Sequence, residues 1–308
     1  MNTTQAVSSR PVAFLGLGVM GYPMAGHLVR AGYQVRGYNR SAEKATKWIA
    51  EHGPLGHGAQ IASTPQAAVE NAEFVFSCVG NDDDLRCVTL GPINASGQRQ
   101  GGAFEAMKSG ATWIDHTTTS AEVARELHDV ARERGLQFID APVSGGNLGA
   151  LKGVLTVLCG GDASAVDSVR PVLRAYAKAV TYLGGAGSGQ LAKMVNQVCI
   201  AGALQALSEA VAFGQRAGLD MKAVLGAIAQ GAAQSWQLEN RGPTMVDDQF
   251  DFGFAVDWMR KDLGLVLAEG YRNGASLPIT DQVSRFYDEV SEMGGGRWDT
   301  SSLIRRLR

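Results

Sequence analysis

The chain has 308 residues, enough for two domains with separate cores. Its 28 Lys and Arg against 30 Asp and Glu give a formal net charge of −2, which leaves no basic footprint for nucleic acid and no basic amphipathic face for a membrane. Four cysteines, Cys78, Cys87, Cys159 and Cys199, have neither metal-ligand spacing nor the density of a secreted disulfide framework, so a reduced, cytoplasmic setting and a small-molecule partner are expected.

The first ten residues are polar and lack an apolar run, and they read as a loose tail without a signal peptide. Pro11 to Leu15 is a short apolar strand that runs into Gly16-Leu17-Gly18-Val19-Met20-Gly21 and then a helical pattern from Pro23 to Ala31. This is G-x-G-x-x-G in a strand-turn-helix setting. The first glycine makes the turn, the second lets backbone approach a pyrophosphate, the third lets helix pack on strand, and the helix N-terminus offers N–H groups. Val12 to Val29 is uncharged and long enough to resemble a membrane span, but its glycines, Pro23 and His27 favour the nucleotide turn. A second strand, Gln34 to Tyr38, ends in Asn39-Arg40-Ser41. No acidic residue stands where an acceptor for the ribose 2′-OH falls. Arg40 offers a guanidinium to a 2′-phosphate instead, and Ser41 is placed to cap the next helix, so NADP is expected over NAD.

Thr64-Pro65 opens another helix, and the strand Glu73 to Val79 leads into Gly80-Asn81 and the triplet Asp82 to Asp84, which suits the first turn of a helix better than a metal. His52 and His57 have no third ligand near in sequence, so no metal site is expected. Thr112 to Asp115 ends in the hydroxyl-rich loop His116-Thr117-Thr118-Thr119-Ser120, with Ser120 as cap for the helix to Arg134. Leu136 to Asp140 leads to Ser144, Gly145 and Gly146, where a hydroxyl and exposed N–H groups read either as a carboxylate nest or as an ordinary turn. Val154 to Cys159 and Ala179 to Leu183, either side of a helix, complete the alternating pattern near Gly184. The fold class expected is α/β: a doubly wound Rossmann domain over residues 11–184 and an all-α domain over 185–308, connected by a long helix.

That helix, Gly187 to Gly218, spans about 45 Å at 1.5 Å per residue. It is apolar along most of its surface. Lys193, Asn196 and Gln197 stand at i, i+3 and i+4 and share a face. A lysine there is costly unless used, paired or snorkelling to water. Three further helices follow, Asp220 to Gln230, Phe254 to Arg272 and Thr280 to Met293. The segment Ser235 to Arg241, with Trp236, interrupts them and either faces a cleft or packs. Lys261, in the second of these helices, is another lysine in apolar surroundings. Small residues Ala201, Gly202, Ala203, Ala206, Ala210 and Gly214 allow close approach of another helix, from the same domain or a second subunit.

Taken together, Gly16 to Ala25, Asp140 to Gly146, Gly187-Ser188-Gly189-Gln190 with Lys193 and Asn196, and Lys261-Asp262-Leu263 resemble four ordered motifs of the β-hydroxyacid dehydrogenase family, from about Pro11 to Leu303. The family includes 3-hydroxyisobutyrate dehydrogenase and tartronate semialdehyde reductase. The resemblance implies hydride transfer between NADP(H) and a small β-hydroxyacid or semialdehyde, with Lys193 as catalytic acid/base. It implies that Ser144, Gly145 and Gly146 bind the substrate carboxylate, and that Asn196 holds substrate or orients the lysine. Gly16, Leu17, Gly18, Val19, Met20 and Gly21 would hold the pyrophosphate. Val79, Gly80, Asn81 and Thr118 would lie along the cofactor, Lys261 would reach it from the helical domain, and Asn39-Arg40-Ser41 looks like the NADP-using branch. Gln197 and Trp236 fall where substrate choice is made, and His116 has no role in the pattern. A homodimer or homotetramer is implied as well. Imine reductases resemble this architecture but generally lack the lysine and the nest, and decarboxylating phosphogluconate dehydrogenases are much longer. A non-catalytic NADPH-binding protein would have no use for the set Lys193, Asn196 and Ser144.

Overall fold

The computed structural model describes residues 10–55 and 58–308; the N-terminal tail and His57 lie outside the described residues. Six strands, β1 (Pro11–Leu15), β2 (Gln34–Tyr38), β3 (Gln60–Ile61), β4 (Phe74–Ser77), β5 (Thr112–Asp115) and β6 (Gln137–Asp140), form one parallel sheet in the order β3-β2-β1-β4-β5-β6. Runs such as Phe74-Val75-Phe76 are apolar at every position because helices cover both faces of a parallel sheet. Alternate residues divide between two cores. Val12, Phe14, Phe76 and Ile114 pack with Met24 and Leu28 of α1 (Gly21–Arg30) and Trp48 of α2 (Ala42–His52). Ala13, Leu15, Val75 and Trp113 pack with Val69 of α3 (Pro65–Val69), Leu85 of α4 (Asp82–Leu90) and Leu127 of α5 (Ala121–Glu133). Strand order reverses between β1 and β4, so the loops after Leu15 and Ser77 flank the crevice where such sheets bind ligands.

The later strands do not extend this sheet, contrary to the expectation of one continuing alternation. β7 (Val143–Ser144), which the sequence reading passed over, follows β6 after only Ala141 and Pro142. A parallel neighbour needs a crossover of about a dozen residues. β7 instead opens a second sheet, antiparallel to β8 (Leu155–Cys159), which pairs in parallel with β9 (Ala177–Tyr182). The helices α6 (Gly146–Lys152) and α7 (Ala163–Leu173) connect them.

The long helix α8 runs over Ser188–Arg216. The chain divides into two compact units within it, after Lys193. The C-terminal unit adds α9 (Met221–Ile228), α10 (Trp236–Val246), α11 (Val256–Asn273) and α12 (Pro278–Val290) to the rest of α8. Its core gathers Leu204, Leu207 and Val211 of α8 with Leu225, Met245, Met259, Leu263, Val283 and Tyr287. The Trp236 segment is therefore no interruption of the helical pattern: the Ser235 hydroxyl accepts the Leu238 N–H at 3.1 Å and starts a helix with Trp236 as its first residue. Thr64, Ser120 and Asp220 cap as expected. Ser41 does not: it sits at the N-cap of α2, but its side chain makes no capping hydrogen bond, and the turn is braced instead by the Asn39 amide donating to the Ser41 carbonyl at 3.0 Å.

Candidate active site

The glycine turn between β1 and α1 separates into two kinds of glycine. Gly16 has φ +97°, and a Cβ there would overlap the Cys78 carbonyl at the end of β4; a Cβ on Gly21 would overlap the Gly16 carbonyl. Both are required by the protein's own packing. A Cβ on Gly18 would meet no atom within 4 Å. Gly18 is therefore not required by packing, and its backbone faces open space. No carboxylate stands in the first turn of α1, so the positive end of its dipole is left for an anion. Val19 is exposed, and Asn39 braces the turn by accepting the Leu17 N–H at 2.9 Å.

Arg40 extends from the end of β2 and is 86% exposed in its side chain, paired with Asp84 at 3.0 Å. Asp84 lies in the first turn of α4, whose cap is Asn81: its Oδ1 accepts the Asp84 N–H at 2.9 Å. The other Asp84 oxygen lies 2.5 Å from where a Cβ on Gly80 would stand. Arg40, Gly80 and Asn81 are thereby brought to one rim of the crevice. Val79 joins them to the next loop by donating its N–H to the Thr117 hydroxyl at 3.0 Å.

That next loop is held from beneath. Asp115, fully buried at the end of β5, accepts the hydroxyls of Ser77 and Thr117, each at 2.6 Å. Burial pushes its carboxyl up to about 7, against the pull of these hydrogen bonds. His116, which the sequence left without a role, is a buried strut. Its Nδ1 lies 2.6 Å from the Ala141 carbonyl and therefore carries the proton, so Nε2 accepts the Tyr176 hydroxyl at 2.8 Å. Burial pulls its pKa down to about 4, which keeps the ring neutral. Between His116 and Ser120 only Thr118 is partly exposed.

Two further side chains anchor the start of α8. The Asp140 carboxylate, at the end of β6, accepts the N–H groups of Gly187 at 2.8 Å and Gln190 at 3.0 Å. The Gln190 carboxamide accepts the Thr119 N–H at 3.1 Å and donates to the Thr117 carbonyl at 2.7 Å. Both residues are fully buried. Burial pushes the Asp140 carboxyl up to about 6, opposed by the Gly187 and Gln190 N–H groups. Lys193, three residues beyond Gln190, is 8% exposed. Ser144 ends β7, and Gly145 and Gly146 follow with φ of +125° and +61°, a backbone that L side chains resist.

The helical unit holds a second cluster. Asn196 donates to the Gln197 carbonyl oxygen at 2.8 Å, Gln197 donates to Asp262 at 2.6 Å, and the other Asp262 oxygen pairs with the Lys261 ammonium at 3.2 Å. Asn196 and Lys261 are so brought into one chain of contacts through Asp262, which the sequence reading named within the motif Lys261-Asp262-Leu263 but gave no role. Its signal was present: an acidic residue on an apolar helix raises the same question as a lysine. Trp236, at the start of α10, stacks with the Arg241 guanidinium, which lies 4.8 Å from its ring. His52 is a core residue between Trp48 and Tyr22, with ring centroids at 5.2 and 5.6 Å. The described residues hold no group of three or more His, Cys, Asp and Glu able to bind a metal ion.

Residues 11–184 match the family described as the NAD binding domain of 6-phosphogluconate dehydrogenase, and residues 187–307 match the one described as NAD-binding of NADP-dependent 3-hydroxyisobutyrate dehydrogenase. The chain belongs to the β-hydroxyacid dehydrogenase family. The chain is 52% identical over 296 residues to an uncharacterized oxidoreductase of Shewanella frigidimarina, covering 96% of this chain and 97% of the other. It is 36% identical over 300 residues to the probable 3-hydroxyisobutyrate dehydrogenase-like 1, mitochondrial, of Arabidopsis thaliana, covering 97% and 86%. Among solved structures, 3-hydroxyisobutyrate dehydrogenase of Mycobacterium tuberculosis with L-serine superposes with a TM-score of 0.84 at 30% identity, covering 98% of this chain and 100% of that one. Membership makes the chain an oxidoreductase acting on CH–OH donors with a nicotinamide cofactor.

Proposed function

We propose that the protein transfers a hydride between NADP(H) and a small β-hydroxyacid or its semialdehyde, with Lys193 as proton donor and acceptor. The observation that carries the reading is a lysine only 8% exposed at the start of an apolar helix whose first turn is bonded to the loops of the nucleotide crevice. When bound, the nicotinamide gives or takes the hydride at the substrate carbon. The protein must move a proton at the substrate oxygen in the same step. A donor within about 3 Å of that oxygen is required, and a buried amine provides one without admitting water. The Ser144 hydroxyl, with the backbone of Gly145 and Gly146, holds the carboxylate and so decides which carbon is presented. Asn196, on the face of α8 shared with Lys193, orients the lysine or the substrate. On the cofactor side, Gly18 admits the pyrophosphate and Arg40 takes the 2′-phosphate. The exposed pair Arg40–Asp84 contributes roughly 0–1 kcal/mol, so a doubly charged phosphate displaces it readily.

The test is NADPH oxidation with short semialdehydes (succinic, tartronic and methylmalonic) and glyoxylate, beside a matched NADH series and the variants Lys193→Ala and Arg40→Ala. Turnover that requires Lys193, with an NADPH preference that Arg40→Ala removes, is the expected result. Equal turnover by Lys193→Ala refutes the assignment of the lysine. Turnover of cyclic imines with none of the carbonyl acids replaces the substrate class, and tight NADPH binding without turnover of either replaces catalysis with binding.

A further inference from the structure

The start of α8 is held in an unusual way. A helix N-terminus is ordinarily satisfied by a Ser, Thr, Asp or Asn at its own N-cap, which caps the helix without tying it to anything else. Gly187, directly before α8, has no side chain to do so. The work falls to Asp140, 47 residues away in sequence, whose two carboxylate oxygens take the Gly187 and Gln190 N–H groups. Close packing fixes this arrangement: a Cβ on Gly189 would lie 2.6 Å from the Asp140 carbonyl oxygen, and one on Gly160 would lie 2.6 Å from its carboxylate. Asp140 is itself held on both sides, donating its N–H to the Gly160 carbonyl at 3.0 Å and accepting the Gly160 N–H at 2.8 Å.

Gln190 supplies a second tie to a different strand end. Its carboxamide closes on the backbone of Thr117 and Thr119, just beyond β5. Thr117 is the residue whose hydroxyl also takes the Val79 N–H at the cofactor rim. Gln190 and Lys193 are i and i+3, so they share a helix face and are separated by less than one turn. Three residues of α-helix admit no independent movement, so the position of Gln190 dictates that of the Lys193 backbone.

We infer that Asp140 and Gln190 are positioning residues that set where Lys193 presents its amine, by fastening the first turn of α8 to the carboxyl ends of β6 and β5. The inference rests on the reading of Lys193 as the proton-transfer group. It also makes Gln190 the link by which the cofactor-side loop and the lysine are kept in register.

The decisive variant is Gln190→Met, close in length and able to make neither hydrogen bond, compared with Asp140→Asn, Lys193→Ala and the double variant Gln190→Met/Lys193→Ala. Gln190→Met is expected to lower kcat on the order of 10- to 100-fold, the cost of misplacing a reacting group by about an ångström. Its NADPH Kd, read by fluorescence titration, should stay within about threefold, and the pH dependence of kcat should move because the lysine's surroundings have changed. Added to Lys193→Ala, it should lower residual turnover no further, since a residue that acts through the lysine has nothing left to act on. A kcat and pH profile indistinguishable from those of the unaltered protein, or a loss that multiplies with that of Lys193→Ala, overturns the inference. Should Asp140→Asn fail to fold, Gln190→Met decides alone. A fully active Lys193→Ala refutes the role of the lysine itself, whereas an inactive Lys193→Ala beside a fully active Gln190→Met refutes only the positioning.

Discussion

The two compact units place their candidate residues by different means. In the sheet unit the anchors are backbone: Gly16 and Gly21 are pressed against carbonyls, Asp140 and Gln190 bond peptide groups, and Asp115 takes a peptide N–H besides its two hydroxyls. In the helical unit the anchors are side chains bonding side chains, from Asn196 through Gln197 and Asp262 to Lys261, and Arg241 on Trp236. A backbone anchor has one geometry and fails as a whole. Side chains can re-pair, so the second kind of anchor yields by degrees.

The sharpest contrast lies within one turn. Gly16→Ala combines a left-handed backbone with overlap on the Cys78 carbonyl and should cost at least about 4 kcal/mol, or abolish soluble expression, by urea unfolding. Gly18→Ala should stay within about 1 kcal/mol of the unaltered protein in the same experiment while weakening NADPH binding at least about tenfold. Equal destabilisation by the two would break the distinction between them.

A pH series probes the buried carboxyl beneath the hydroxyl-rich loop. Asp115 has its folded-state pKa raised to about 7 by burial, so its contribution is fully present below its unfolded pKa, near 4, and is lost as pH rises through 7. His116, lowered to about 4, acts in the opposite sense: between pH 4 and 6.5 the unfolded chain binds the extra proton, and stability rises with pH. Comparing Asp115→Asn with the unaltered protein isolates the first effect. The variant's relative stability should climb by a few kcal/mol from pH 4 to 7 and level off above, and a flat difference would mean that Asp115 titrates as an ordinary carboxyl.

In the helical unit, Asp262→Ala should cost about 2 kcal/mol by leaving Gln197 and Lys261 without their buried acceptor. Adding Gln197→Leu should restore part of it, since removing both partners costs less than removing one. Strict additivity would mean that the side-chain network is as rigid as the backbone anchors. The smallest effect belongs to Asp84→Ala, within about 1 kcal/mol in stability, because its partner Arg40 is mostly in water.

The sequence disclosed what is local and hid what is not. Strand, glycine turn and helix are contiguous, and four of the six main-sheet strands could be bounded to within a residue from their apolar runs. β4, Phe74–Ser77, is shorter than the strand expected from Glu73 to Val79, and beyond it Val79 turns its N–H to the Thr117 hydroxyl. β7 was missed because two residues give no periodicity, and with it the second sheet. α10 was hidden by Pro243 and a lone tryptophan, although Ser235 carried a cap signal. Lys193 and Ser144 stood out by residue type in unusual settings. Asp140 and Gln190 entered only as members of motif stretches and received no role, since their partners lie 47 to 73 residues away and no spacing announces them.

The bare backbone at Gly18 has a consequence for how such chains diverge. Gly16 and Gly21 are demanded by the fold itself, so a duplicated copy that had lost its cofactor would still be selected to retain them. A Cβ on Gly18 would meet nothing inside the protein, so under the proposed cofactor role it is the ligand alone that keeps this position a glycine. On the proposed reading, a lineage that abandons catalysis would lose the middle glycine first of the three, and its survival would record continued service to a dinucleotide more faithfully than the whole motif does.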